Sequence, residues 1–353
     1  MRDVLAEVDA WTARGDRVAL ATVVGIRFSA PRPLGAKLAI SSSGDVAGAV
    51  SGGCVEASVI REAGELLAGR GPAGRLRSYG IADDEAWEVG LPCGGEIDVW
   101  IDLHEDDALA GATRTGGRAA RVTVLDGPAA GRRLHVDAAG RTTGTLGGPA
   151  LDVAADGAAE LVAAGRCAVL EAGGARLFVD VVRPDPRLVV VGAGDLARHL
   201  CAVARTVGWR TVVVDPRSLF ARPERFPDAD ATVDRWPQEA FPLLGVGADD
   251  AVVVLTHDPK LDDAAILAAL AAGAGFVGAM GSRHAQTMRR RRLHEHGVPD
   301  DEVARIAGPV GLDLGATATP ETALSILAEV VADRHGRDGG RLRHAAGRIH
   351  ELR

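Results

Sequence analysis

Aromatic residues are scarce in this chain: one tyrosine, six phenylalanines and five tryptophans make 3% of 353 residues. A base-stacking platform for nucleic acid needs such rings in series, so no nucleic-acid partner is expected. Positive charge is not in excess either. The formal net charge of −8 argues against a binder of phosphate backbones. Lysine occurs only at Lys37 and Lys260. The four cysteines, Cys54, Cys93, Cys167 and Cys201, stand far apart with no C-x-x-C pair, so neither a zinc ribbon nor a disulfide framework is indicated. No apolar run nears the roughly 18 residues of a membrane span, and the opening MRDVLAEVDAWTARGD has no apolar signal core. A cytoplasmic protein of a reducing compartment is expected, without a membrane span.

What the chain does have is 47% hydrophobic and 25% charged residues, enough for two domains with a buried core each. Two of its cysteines are flanked by glycine, in AVSGGCVEASV (Ala49 to Val59) and GLPCGGEIDVWI (Gly90 to Ile101). Val55 to Leu67 has apolar residues at helical spacing, which places Cys54 at a helix start beside Gly52 and Gly53. Free amides and the positive end of the helix dipole favour an anion there and lower a thiol's pKa. Cys93 lies with Gly94 and Gly95 before the strand pattern Glu96–Leu103. Two readings stay open for the pair: a site for an anionic or sulfur-loving ligand, or two small buried hydrophobes.

The patterning gives a helix over Val4–Arg14 and strands over Val18–Ile26 and Ala36–Ser41. Glu105–Gly117, polar and rich in glycine, reads as a linker. Strand patterns over Ala119–Leu125, Arg132–Val136, Cys167–Glu171 and Ala175–Val182 surround a helix near Leu151–Ala164. The prolines of RPDPR (Arg183–Arg187) mark a boundary. Four segments follow: 1–110 with the cysteine loops, 111–184 as an α+β extension, 185–335, and a tail, 336–353.

From Leu188 onward, continuous Val/Leu runs alternate with helices, which predicts a doubly wound parallel sheet of Rossmann type and an α/β chain overall. Gly192-Ala193-Gly194-Asp195-Leu196-Ala197 fits G-x-G-x-x-G/A between strand and helix, and Asp215 ends the next strand where an acid takes ribose hydroxyls. NAD or NADP is the cofactor this fingerprint admits, with Arg217 suited to a 2′-phosphate. Asp195, on the first helical turn, is placed to occupy the anion site itself. His257 and Asp258, Gly281 to Arg283, and Asp313 fall along the same sheet edge. His257 is either an acid–base group beside a nicotinamide or a polar loop residue closing a strand. The run Arg289–Arg292 reads as a solvated helix face.

The ordered strings SAPRPLGAK, SGGCVE, LPCGGEIDVWID, VVGAGDLA, VVDPRSLFARPERFPDAD, VLTHD, GAMGSR and GLDLGATATPETALSILAEV resemble the XdhC/CoxI family from about Thr22 to Val331. Residues 111–183 carry none of its motifs. The resemblance implies a maturation factor that binds the molybdenum cofactor transiently, protects it during sulfuration, and delivers it to a xanthine dehydrogenase or carbon monoxide dehydrogenase type apo-enzyme. A cysteine desulfurase is a second implied partner, and a homodimer is expected. The family's glycine-flanked cysteines fall on Cys54 and Cys93, and its nucleotide-fold glycines on Gly192 and Gly194. The chain departs from the pattern at Asp195, where a histidine is expected, and at Phe28, where a small residue is expected.

The chemistry of such a cargo suits the residues. Arg32 and Lys37, with the amides at the Cys54 helix start, would receive its phosphate, and a thiolate from Cys54 or Cys93 would touch the molybdenum. No catalytic residue is assigned in this reading. The alternative is an NAD(P)-dependent oxidoreductase built on the Rossmann-type domain, for which the cysteine loops have no use.

Overall fold

In the computed structural model, which describes residues 1–28, 30–53, 55–80 and 95–344, the chain divides between Pro184 and Asp185 into two units. The first opens with α1 (Arg2–Ala13), whose Val4, Leu5, Val8 and Trp11 share one face at helical spacing. A five-stranded antiparallel sheet follows: β1 (Val18–Arg27), β2 (Lys37–Ser41), β3 (Val46–Gly48), β4 (Gly74–Tyr79) and β5 (Glu96–Leu103), in the order β3-β2-β1-β5-β4. Alternation along β1 explains why it is buried on both sides. Val18 and Leu20 pack on α1, while Ala19, Ala21 and Val23 face the cluster of α2 (Glu56–Leu67).

The stretch expected to be a linker instead carries α3 (Ala108–Thr115). The Asp107 side chain accepts from the Leu109 and Ala110 amides, Gly116 ends the helix in the left-handed region, and Leu109 and Ala110 are buried. A second antiparallel sheet comprises β6 (Ala119–Val124), β7 (Arg133–Asp137), β8 (Thr142–Gly144), β9 (Ala168–Ala172) and β10 (Ala175–Val182), in the order β8-β7-β6-β10-β9. The helix expected near Leu151–Ala164 is two pieces, α4 (Pro149–Asp152) and α5 (Ala154–Ala164), the latter covering one face of this sheet through Ala158, Leu161 and Val162. Val24, Trp100, Leu125 and Phe178 join the two sheets of the unit.

Unit two is a parallel sheet of β11 (Arg187–Val191), β12 (Arg210–Val214), β13 (Ala231–Val233), β14 (Asp250–Val254), β15 (Phe276–Ala279) and β16 (Ile306–Ala307). Its order, β13-β12-β11-β14-β15-β16, is the 3-2-1-4-5-6 of the dinucleotide fold, as the sequence predicts. Helices α6 (Asp195–Thr206) and α11 (Thr319–Arg334) cover one face. The other is covered by α7 (Pro237–Leu244), α8 (Pro259–Ala271), α9 (Arg283–Glu295) and α10 (Asp300–Ala304). The arginine run on α9 is not a solvated face throughout. Arg289 is buried against Asp262 at 2.7 Å, and Arg292 holds Asp263 at 2.6 Å, while Arg290 and Arg291 face water. Residues three apart on a helix share a side, so half of the run turns inward. Among the described residues no helix is long and apolar enough to cross a membrane.

Candidate functional site

The glycine loop of unit two has the geometry its spacing predicts. Gly192 sits at φ +104°, and a Cβ there would come within 2.5 Å of Thr256 Cγ2, so no other residue fits. Gly194 starts α6 with open space around it, and the third position, Ala197, is sealed in the core. Asp195 does not cap the helix. Its carboxylate pairs instead with Arg198 at 3.0 Å and His199 at 3.5 Å.

Asp215 lies where expected, against this loop, but it is already engaged. Its Oδ2 accepts from the Ala193 amide at 2.9 Å and Arg217 Nη2 at 2.6 Å. Its Oδ1 accepts from the Arg217 amide at 3.0 Å and Nε at 2.8 Å. A carboxylate offers about four acceptor positions, so ribose hydroxyls would have to displace Arg217. Burial opposes the charge of Asp215, but Arg217 and the two amides outweigh it and hold the group below the ordinary value of 3.8. Arg217 itself lies 4.2 Å from the centre of the Phe220 ring.

Further along the sheet edge, His257 is exposed and Asp258 caps α8, accepting from the Lys260 amide at 3.0 Å. Ser282 caps α9 in the same way, and Asp313 is exposed. Beneath them runs a buried polar network that the sequence reading missed. Thr256 donates to Asp262, Arg289 donates to Asp262 and to Gln286, and Gln286 Nε2 donates to the Ala279 carbonyl at 3.0 Å. The signal was present, since Asp262 lies on one helix and Gln286 and Arg289 sit three apart on the next.

In unit one the loop before α2 supplies its own anion. Glu56 Oε2 accepts from the Gly53 amide at 2.9 Å and the Val55 amide at 3.2 Å, and Oε1 accepts from the Ser51 amide at 2.8 Å. The Ser51 hydroxyl donates to Oε2 at 2.5 Å. Burial raises the Glu56 pKa, yet these donors outweigh it and the net direction is downward. The expected anion site at these amides is therefore corrected: the negative charge there is Glu56. Gly52 and Gly53 are exposed, and Gly53 lies at φ +111°, a conformation suited to glycine. Gly95 is buried just before β5. Cys54, Cys93 and Gly94 lie outside the described residues.

Lys37 requires a second correction. Its side chain is fully buried on β2, with Nζ 2.7 Å from Asp180 Oδ2 on β10 and 3.3 Å from Thr22 Oγ1. It binds no external phosphate from that position. Burial favours a neutral Asp180, but Lys37, then the Met1 ammonium, then Arg121 outweigh it and keep the acid below its usual value. Arg32 remains at the surface, 3.2 Å from Asp3. Burial lifts the thiols of the described cysteines, Cys167 and Cys201, each to about 11, which disfavours their thiolates. Among the described residues no group of three His, Cys, Asp or Glu side chains is arranged to hold a metal ion.

Residues 188–330 match the profile of the XdhC Rossmann domain, and residues 11–80 match that of the XdhC and CoxI family. The chain is 29% identical over 322 residues to the molybdenum cofactor insertion chaperone PaoD of Escherichia coli K12, covering 91% of this chain and 84% of that one. Against a probable xanthine dehydrogenase subunit of Bacillus subtilis 168 it is 26% identical over 346 residues, or 93% of this chain and 96% of the other. A crystal structure described as a xanthine dehydrogenase from Bacillus halodurans shares the fold, with a TM-score of 0.72 at 23% identity over 97% of this chain and 98% of that one.

Proposed function

The chain belongs to the XdhC and CoxI family, and on that premise we propose that it is a maturation chaperone for molybdenum hydroxylases. It binds the molybdenum cofactor as cargo, assists its sulfuration and delivers it to an apo-enzyme of the xanthine dehydrogenase or carbon monoxide dehydrogenase type. The observation that carries this reading is the relationship to a molybdenum cofactor insertion chaperone, which runs through both units over 91% of the chain. In the proposal Cys54 and Cys93 are the soft ligands that meet the metal, Arg32 is an accessible cation for the phosphate, and Gly52, Gly53, Gly94 and Gly95 let the two loops close around the cargo. The sulfur donor is a cysteine desulfurase, the working form a homodimer, and the compartment the cytoplasm. The chain carries and transfers; it turns nothing over.

The oxidoreductase reading, with His257 beside a nicotinamide, loses support at Asp215. The acid that such a site needs for ribose is fully committed to Arg217, Ala193 and the Arg217 amide. Deleting the gene in a host that makes the partner hydroxylase is the test. The hydroxylase should fold but lack sulfurated cofactor, and it should regain activity with the intact chain. Full hydroxylase activity in the deletion strain would refute the proposal.

A further inference from the structure

Unit one contains a cleft of roughly 360 Å³ where its two sheets meet, walled by Val24, Ile26, Leu34, Leu125 and Val169. That volume lies at the lower end of small-molecule sites. One buried acid opens onto it: Asp98, on β5, with a side chain 8% exposed. Ser78 Oγ donates to its Oδ1 at 2.5 Å. Arg176 Nη1 reaches Oδ2 at 3.4 Å and Arg27 Nη2 reaches Oδ1 at 3.5 Å, both at the outer limit of a hydrogen bond. Both guanidiniums have nearer partners, Arg176 holding Asp126 at 2.7 Å and Arg27 holding Glu96. Asp98 thus makes one short hydrogen bond among these contacts, where a carboxylate accepts about four.

The backbone makes room for this acid. The β1–β5 register shifts between Val23 and Gly25, and a Cβ on Gly25 would stand 2.8 Å from Asp98 Oδ2. Both rims also belong to motif segments. Val24 to Arg27 lead into FSAPRPLGAK, and Asp98 follows Cys93 by five residues along LPCGGEID.

We propose that this cleft holds a flat heterocycle with a 2-amino-4-oxo edge, as found in a pterin or a guanine. Asp98 accepts the two parallel N–H donors of that edge, the same fork geometry that makes arginine–carboxylate pairs strong. The aliphatic side chains cover the ring, and Arg27 and Arg176 supply positive charge beside it. The inference rests on the cofactor-carrier reading and assigns the pterin end of that cargo.

The test is a fluorescence titration of the whole chain with 6-hydroxymethylpterin, guanosine and lumazine. Lumazine keeps the ring but carries an oxo group where pterin has its amino donor, so it turns an acceptor toward Asp98. Pterin should bind about tenfold tighter than lumazine or better, because a mispaired buried acceptor is costly. Asp98→Asn should erase or reverse that preference, since its amide offers one donor and one acceptor. Val169→Trp, at a position 39% exposed on β9, fills the cleft and should abolish binding without moving the thermal midpoint; it keeps the test decisive if Asp98→Asn misfolds. Guanosine binding tighter than pterin would assign the edge to a guanine nucleotide. Equal affinity for pterin and lumazine overturns the inference. So does pterin retained in full by Val169→Trp purified from a molybdenum-competent host, an outcome that leaves the carrier reading standing.

Discussion

Lys37 Nζ and Asp180 Oδ2 stand 2.7 Å apart with both side chains sealed from water, tying β2 of one sheet to β10 of the other. Removing one partner strands the other charge in the interior. Lys37→Met should cost about 3–5 kcal/mol in urea unfolding, toward the lower figure because Arg121 remains 3.5 Å from Asp180. The double variant Lys37→Met/Asp180→Leu should recover most of that loss, since a buried pair is itself replaceable by apolar packing. Equal losses in the single and double variants would contradict this. Asp180 is held below its ordinary 3.8, so its contribution is complete at neutral pH and disappears only as the pH falls below that value.

Acid sensitivity should begin higher, at two histidines. His104 and His135 in unit one are pushed below 6.5 by burial, with Asp107 opposing. The folded state therefore binds fewer protons than the unfolded state once the pH drops past 6.5. Their stabilising effect is present above that pH and lost as the pH falls through it. Urea midpoints at pH 7.5 and pH 5.5 should show the loss, and His135→Gln should reduce the difference. An identical pH slope in that variant would exclude His135.

Glu56 gathers the amides of Ser51, Gly53 and Val55. Glu56→Ala should destabilise unit one by about 1–2 kcal/mol, the low end for charged hydrogen bonds because the site is partly open to solvent. It should also reduce retention of the cargo more than Arg61→Ala, a change at an exposed position on α2, does. A variant that holds its cargo and its stability would mean the loop needs no internal anion.

The bidentate pair between Asp215 and Arg217 predicts weak dinucleotide binding. Thermal shift with millimolar NAD should be small for the wild-type chain. Arg217→Ala frees two acceptor positions and should strengthen NAD binding about tenfold, the worth of one charged hydrogen bond at the low end. A ligand at 100 times its dissociation constant adds about 2.7 kcal/mol, so the change is readable. A large shift with NAD in the wild-type chain would restore the oxidoreductase reading.

Strands buried on both faces were legible because their composition states it. The valine run of β11 and the pattern of β5 leave little alternative, and the observed ends match closely. Short or mixed elements were not. β4 (GRLRSY) buries a charged residue, Arg75, and leaves Leu76 only partly buried, and α3 is made of small residues whose helical signal is the Asp107 cap. Site residues failed for a different reason. Lys37 lies near Arg32 in sequence, yet its partner is Asp180, 143 positions away, and no local pattern announces a pair of that span. Glu56 was legible in principle, five residues after Ser51, but its helical context concealed that it turns back on the loop. Asp98 looked like one polar residue in a strand, and only the fold places it at a cleft.

The most direct measurement is the pterin and molybdenum content of the chain purified from a molybdenum-competent host, compared with Cys54→Ala, Cys93→Ala and His257→Ala. Each change to alanine removes a single sulfur atom, so the cysteine variants should stay folded. The account predicts pterin and molybdenum together in the wild-type protein, loss of both in either cysteine variant, and normal content in His257→Ala. A wild-type chain without pterin, or cysteine variants that keep their full load, would contradict it.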